Sequence, residues 1–471
     1  MASPPVDVDL GKLSYEIFAL LENNFLFGGA GGAGAGACSM PGTPGRAAVL
    51  GGEGGGSTGR VRVLAIDGCG PGPGDALLAA AALTRLEAAL RAQAGDPDAR
   101  VADFFDAAAG AGAGGVLAAM LFLRGSDGRP RYAAADALAF VAASLGKGGW
   151  CGRRRRWMAL FRRPDKSLRR VFGDATLRDT VAPLLVPCYD LATGAPFLFS
   201  RADAVESDSF DFHLRDVCAA TCAGGATATA IRSVDGRTAI AAASGGVAAM
   251  GNPTAAAITH VLHNKQEFPL AAGVDDLLVV SIGSGSSSGA TATSSTPSSG
   301  WRTPLPPRSP SPAEMVRLTA EGVADMVDQA VAMAFGHTCG RNYLRIQAAS
   351  PAYSTKALSS LDVKKMTAIA DGMLTQRNVE AELFRGRRLS EKSNREKLDA
   401  FAADLVSEHD RRRTSPGLPN VVIKQAAAAT PRLSSATTAS SATATAKTVS
   451  TMPSPASQDS LSLPPLAMEV V

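Results

Sequence analysis

Short apolar runs rich in β-branched residues alternate along the chain with longer segments whose apolar positions recur every three or four residues. Arg62 to Ile66, Phe104 to Ala109, Pro196 to Phe199, Ala239 to Ala243 and Leu277 to Ile282 read as strands. Asp75 to about Arg91, Gly114 to Leu123, Asp136 to Leu145, Asn252 to His263 and Glu314 to Phe335 carry helical spacing. Strands alternating with helices predict an α/β fold of three layers, with a mostly parallel central sheet and helices on both faces. A further amphipathic helix, Leu13 to Phe27, aligns Ile17, Leu20, Leu21 and Phe25 on one side.

Breaks in this pattern set the boundaries. Gly28 to Gly36 and Gly51 to Gly56 are glycine tracts, so residues 1–58 read as an N-terminal helix with a flexible linker and the folded domain as 59–412. Residues 286–312 are Ser/Thr/Pro-rich and read as a disordered insertion; 413–471 read as a tail, of low complexity from about Gln425. With 471 residues the chain can still bury one large core.

Charge and cysteine usage narrow the function classes. A net charge of +4 is small for this length and gives no general nucleic-acid footprint. The seven cysteines are scattered without a C-x-x-C pair, as expected of reduced, intracellular thiols. No apolar run reaches the roughly 18 residues of a membrane span. A soluble or peripheral, cytoplasmic protein is the expectation.

Two glycine-rich turns carry the candidate chemistry. Asp67-Gly68-Cys69-Gly70 follows the first strand and precedes a helix, where backbone N–H groups can hold a phosphate or a developing oxyanion. It lacks the Lys-Ser/Thr ending of a P-loop and the dinucleotide spacing, so nucleotide binding is not expected. The second turn, Gly110-Ala111-Gly112-Ala113-Gly114, lies between a strand and a helix in the layout of a nucleophile elbow, yet glycine stands at its centre.

Taken as a set, three segments resemble the patatin-like phospholipase family of lipid acyl hydrolases. Val63-Leu64-Ala65-Ile66-Asp67-Gly68-Cys69-Gly70 is similar to the family's strand and Asp-Gly-Gly-Gly loop. Phe105 to Gly115 is similar to its Gly-x-Ser-x-Gly-Gly elbow, and Ser244-Gly245-Gly246 running into Asn252-Pro253 to its Asp-Gly-Gly segment. Asp216 to Thr221, Tyr189 to Leu191, Leu278 to Gly285 and Asn342 to Gln347 add to the likeness, which spans about Val61 to Ala400 in the family's order.

The resemblance implies hydrolysis by a serine nucleophile, an aspartate that takes its proton and an oxyanion hole, without histidine, cofactor or metal. Carried over, the nucleophile position is Gly112, the acid/base position is Ser244, and the oxyanion loop is Gly68, Cys69 and Gly70. Both side chains of the dyad are therefore absent. The chain resembles a plant-type branch in which the elbow reads Gly-x-Gly-x-Gly, which implies action on membrane phospholipids and galactolipids. A catalytically inactive lipid-binding or regulatory protein is the alternative.

Other groups offer no ready replacement. Cys69 lies near a helix N-terminus but reads as a small structural cysteine. Ser244 and Thr221 are hydroxyls without an evident base, Asp235-Gly236 reads as a hairpin turn, and the five histidines read as surface or packing residues. One segment points to a partner instead. Arg153, Arg154, Arg155 and Arg156 run into Trp157, with Arg162, Arg163 and Lys166 beyond, which reads either as a surface that adsorbs to an anionic membrane such as the plasma membrane or, equally, as a solvated helix face.

Overall fold

A computed structural model describes residues 59–68, 73–145, 166–223, 229–243, 250–283, 312–347, 368, 371–382, 386–414 and 421–424. An inner strand of the sheet is β1 (Val61–Ile66), buried along its whole length. Its odd residues, Val61 and Val63, face one apolar layer, and Leu64 and Ile66 face the other. That period-2 division makes three layers: two helical coats separated by one sheet.

The chain first builds one side of the sheet. Helix α1 (Pro73–Ala94) follows β1, and β2 (Ala107–Gly110) pairs parallel to it. Next come α2 (Gly112–Phe122), α3 (Ala134–Leu145) and α4 (Lys166–Phe172). Every residue of α2 is buried, and its run of Gly and Ala lets the helix backbone approach the sheet closely. Strand β3 (Leu184–Asp190) pairs parallel to β2, and β4 (Ala195–Ser200) turns back antiparallel against β3. Helices α5 (Arg201–Glu206) and α6 (Leu214–Thr221) lead to an antiparallel pair, β5 (Thr229–Arg232) and β6 (Ala239–Ala243), of which β6 pairs antiparallel with β3.

After α7 (Thr254–His263) the chain crosses to the other side of β1. There β7 (Leu277–Ile282) pairs parallel to β1 and β8 (Tyr343–Ile346) parallel to β7, with α8 (Pro312–Phe335) between them in sequence. The sheet order is β5-β6-β3-β2-β1-β7-β8, with β4 beside β3. A separate antiparallel ribbon, β9 (Arg377–Glu382) and β10 (Gly386–Ser393), precedes α9 (Asn394–Thr414). Side chains of α1, α2, α6 and α9 fill one apolar layer, and those of α7 and α8 fill the other.

The α/β class, the mostly parallel sheet and its helical coats are as the pattern predicts; several boundaries differ. Phe104 to Asp106 are not in the strand. A 3₁₀ turn, Val101–Phe104, precedes β2, and the Asp106 carboxylate instead accepts bonds from the Arg62 amide at 2.8 Å and guanidinium at 2.9 Å. Helix α2 begins at Gly112 rather than Gly114, because Gly112 itself makes the turn. Pro187 inside β3, Arg345 inside the short β8, and the polar sequences of β5, the ribbon and α9 concealed these elements from periodicity alone.

Structure also extends past 412. Helix α9 ends at Thr414, and the Val422 amide donates to the Glu267 carbonyl at 2.7 Å, so part of the expected tail is docked on the domain. The expected N-terminal helix, the bulk of the 286–312 insertion and the 425–471 stretch lie outside the described residues.

Candidate functional site

The register of the parallel strands brings the ends of three strands to one edge of the sheet. Ile66 is opposite both Gly110 and Ile282, so β1, β2 and β7 end flush. The chain winds from β1 toward β2 and β3 in one direction and later returns to β7 and β8 in the other. Ligand crevices in open α/β sheets form beyond the carboxyl ends of strands at such a reversal.

The elbow is built from backbone contacts. The Ala111 amide donates to the Ile66 carbonyl at 3.1 Å, tying the turn to β1. Gly112 then takes φ +51°, the left-handed region in which glycine meets no steric penalty. Its amide donates to the buried Thr221 hydroxyl at 2.8 Å, and that hydroxyl donates to the Pro187 carbonyl at 2.7 Å. One side chain thus joins the elbow to α6 and β3. Gly114 is required by proximity: a Cβ there would lie 2.4 Å from the Asp67 carbonyl oxygen and 2.5 Å from that of Ile66. The amides of Ala113 and Gly114 open α2 and have no carbonyl four residues back within the helix. They give the turn its capacity to hold negative charge.

The neighbouring loop is fixed from below by a buried polar chain. Asp67 is gripped by Arg345, whose Nη1 and Nη2 donate to its two oxygens at 2.9 and 2.6 Å. Arg345 Nη1 also donates to Ser281 at 2.6 Å, and Ser281 shares a 2.8 Å hydrogen bond with Thr254. Thr254 in turn donates to Asn252 Oδ1 at 2.6 Å, and the Asn252 amide donates to the Ala324 carbonyl of α8. Burial, the largest influence on Arg345, opposes its charge; Asp67 and Asp328 together outweigh it and hold the guanidinium above its ordinary value. Removing either charge would strand the other in the core.

The sequence-predicted residues divide three ways. Gly112 stands where the elbow requires it. Gly68 does not stand as a free oxyanion donor: its amide is bonded to the Gly251 carbonyl at 2.7 Å. That contact closes the base of the loop, leaving the start of α2 as the described source of donors. Cys69, Gly70, Ser244, Arg153 to Arg156 and Trp157 lie outside the described residues; β6 ends at Ala243, opposite Tyr189, one residue before Ser244.

Thr221 is a positioning group with both hydrogen bonds committed. Asp235 belongs to the predicted turn, its carboxylate accepting from the Arg237 amide and Ser233 beside Gly236 at φ +74°. Cys188, next to Pro187 on β3, has its thiol pushed up to about 12 by burial and by Asp190, so it is a neutral packing group. The clamp of Arg345 on Asp67 was missed by spacing. Its signal is an arginine inside the apolar run Tyr343–Ile346, which a buried strand tolerates only opposite a carboxylate.

Comparison with known proteins gives the family. The profile of the family described as patatin-like phospholipase matches residues 64–258. Patatin-like protein 3 of Oryza sativa subsp. indica is 53% identical over 407 residues, covering 85% of this chain and 92% of that protein. Patatin-like protein 7 of Arabidopsis thaliana is 43% identical over 442 residues, 90% of this chain and 86% of that one. Probable inactive patatin-like protein 9 of Arabidopsis thaliana is 38% identical over 419 residues, 85% and 94% of the two chains. Likeness of this degree runs through nearly the whole length of each relative, and the chain belongs to the patatin-like phospholipase family.

Proposed function

We propose that the protein is a lipid acyl hydrolase with a degenerate dyad, acting slowly on acyl esters of membrane phospholipids and galactolipids. The observation that carries this reading is the retained elbow: Gly112 is held in the left-handed conformation at the junction of β2 and α2 although no nucleophile depends on it. In the reaction, water attacks the ester carbonyl and gives up a proton to solvent, and the amides opening α2 stabilise the tetrahedral oxyanion. The bond to the glycerol oxygen then breaks, that oxygen takes a proton from solvent, and a fatty acid and a lysolipid leave. Oxyanion binding and positioning without a nucleophile support about 10³- to 10⁴-fold acceleration in enzymes stripped of their catalytic residues. Arg153 to Arg156 and Trp157 bring the protein, peripheral and cytoplasmic, to the anionic face of the plasma membrane.

The second reading, a lipid-holding protein without turnover, is favoured by the likeness to a relative named as probably inactive. Release of fatty acid from phosphatidylcholine and monogalactosyldiacylglycerol vesicles separates the two. The wild type should exceed the buffer blank on both lipids, and Gly112→Ser with Ser244→Asp should raise the rate further. A wild type equal to the blank beside an active double variant would establish the second reading.

A further inference from the structure

A cavity of about 370 Å³ lies beside the edge strand β8, walled by α8, the turn that follows it, the β9–β10 ribbon and α9. None of the elbow's residues line it. Two of its lining groups are nearly buried, the Arg345 side chain at 7% exposed and that of Asp328 at 6%. Arg345 commits Nη1 and Nη2 to Asp67 and Ser281, whereas its Nε has no hydrogen-bond partner. Asp328 Oδ1 stands 3.8 Å from that Nε, too far for a hydrogen bond, and accepts the Tyr343 hydroxyl at 2.6 Å with one lone pair left over. Buried N–H groups are normally paired, so an unpaired one on a cavity wall points to a ligand.

We infer that this cavity binds a neutral sugar or polyol. The pair on its wall selects a hydroxyl, which accepts from Arg345 Nε and donates to Asp328 with the same oxygen. A carboxylate or phosphate has no proton to donate and would lie against the charge of Asp328; an ammonium has no lone pair and would lie against the guanidinium. The rest of the wall suits the same ligand. Glu380 accepts from both Lys397 and Arg388, so acceptor and donors stand side by side for further hydroxyls, and Ala332 and Val379 give apolar surface for the C–H face of a ring. One water fits the bridge between Nε and Asp328, but the cavity has the volume of about a dozen, enough for a monosaccharide.

The test uses the full-length protein and does not depend on the proposed hydrolysis. Cys339 is exposed and lines the cavity, so its alkylation by iodoacetamide in alkaline buffer, followed residue by residue by mass spectrometry, reports occupancy. Methyl β-galactoside and myo-inositol at saturation should slow alkylation of Cys339 at least about fivefold and leave that of Cys222, next to the elbow's Thr221, unchanged. Protection by the free sugar alone makes the ligand soluble; protection by monogalactosyldiacylglycerol vesicles makes it a glycolipid headgroup. In calorimetric titrations Asp328→Asn should weaken methyl β-galactoside about five- to tenfold, and Glu380→Gln, at a partly exposed position where folding is not at risk, should weaken it in the same direction. The inference is overturned if neither free compound nor the vesicles protect Cys339, which leaves water as the occupant, or if Cys222 is protected equally, which puts the sugar elsewhere. It is equally overturned if acetate, phosphate or choline protects as well, or if both substitutions leave the affinity unaltered.

Discussion

Replacing Thr221 by valine tests whether the elbow is held by a hydrogen-bonded side chain or by packing. The Thr221 hydroxyl is fully buried, accepts the Gly112 amide at 2.8 Å and donates to the Pro187 carbonyl at 2.7 Å. Valine keeps the shape and removes both bonds, leaving one buried donor and one buried acceptor unpaired. At about 1–3 kcal/mol for each orphaned group, and with the carbonyl retaining a second lone pair, Thr221→Val should cost about 2–4 kcal/mol. Thr221→Ser keeps both bonds and loses one buried methyl, about 1 kcal/mol. The expected order of urea midpoints, at common slope, is therefore wild type, serine, valine. Packing alone ranks valine above serine, because valine is closer to threonine in volume. A valine variant as stable as the serine variant would refute the account of the elbow.

Three other perturbations probe the site and its support. Gly114→Ala forces a Cβ to 2.4 Å from the Asp67 carbonyl oxygen and should cost about 3 kcal/mol or more, whereas Gly236→Ala, at φ +74° in open space, should cost about 1 kcal/mol; equal thermal shifts would contradict the close approach. Arg345→Met leaves Asp67 buried without its partner and should cost about 3–5 kcal/mol, with Asp67→Asn recovering part of the loss; strict additivity in the double-mutant cycle would remove the pair from the argument. His260 has its pKa lowered by burial from 6.5 to about 4, so the fold favours the neutral ring. Its contribution is complete above about pH 6.5 and falls away as pH drops toward 4, by up to about 3 kcal/mol; His260→Gln should flatten that part of the stability profile, and an unchanged profile would exclude the residue.

What the chain shows without its structure is uneven for physical reasons. Leu277–Ile282 is legible because a strand buried on both faces is a continuous apolar run, and Ala239–Ala243 is an apolar run as well although Ala239 is exposed. Thr229–Arg232 and Arg387-Arg388-Leu389 in β10 are not, since edge and ribbon strands keep polar residues. Phe104 misleads by hydrophobicity: it is buried in a 3₁₀ turn, and the register of β2 is set two residues later by Asp106 and Arg62. The elbow is legible at Gly112 because left-handed backbone has a residue signature. Gly68 is not legible in the same way. Its amide is used by Gly251, almost two hundred positions along the chain, and no local pattern reports such a contact.

The contacts that keep the elbow in shape need no side chain at the position where a nucleophile would stand. Ala111 is tied to Ile66 by backbone, Gly112 to Thr221 by its own amide, and Gly114 to Asp67 by the absence of a side chain. Arg345 clamps Asp67 through its carboxylate, whereas Gly114 meets the Asp67 backbone carbonyl. A serine at Gly112 would add none of these bonds, and its loss breaks none of them. At a left-handed φ a serine would even be strained relative to glycine, so losing the nucleophile relaxes the turn by about 1–2 kcal/mol. Scaffold and chemistry are thus separable here. Conversion of Gly112 to serine tests catalysis on a backbone already in place, at a stability cost that the core can absorb.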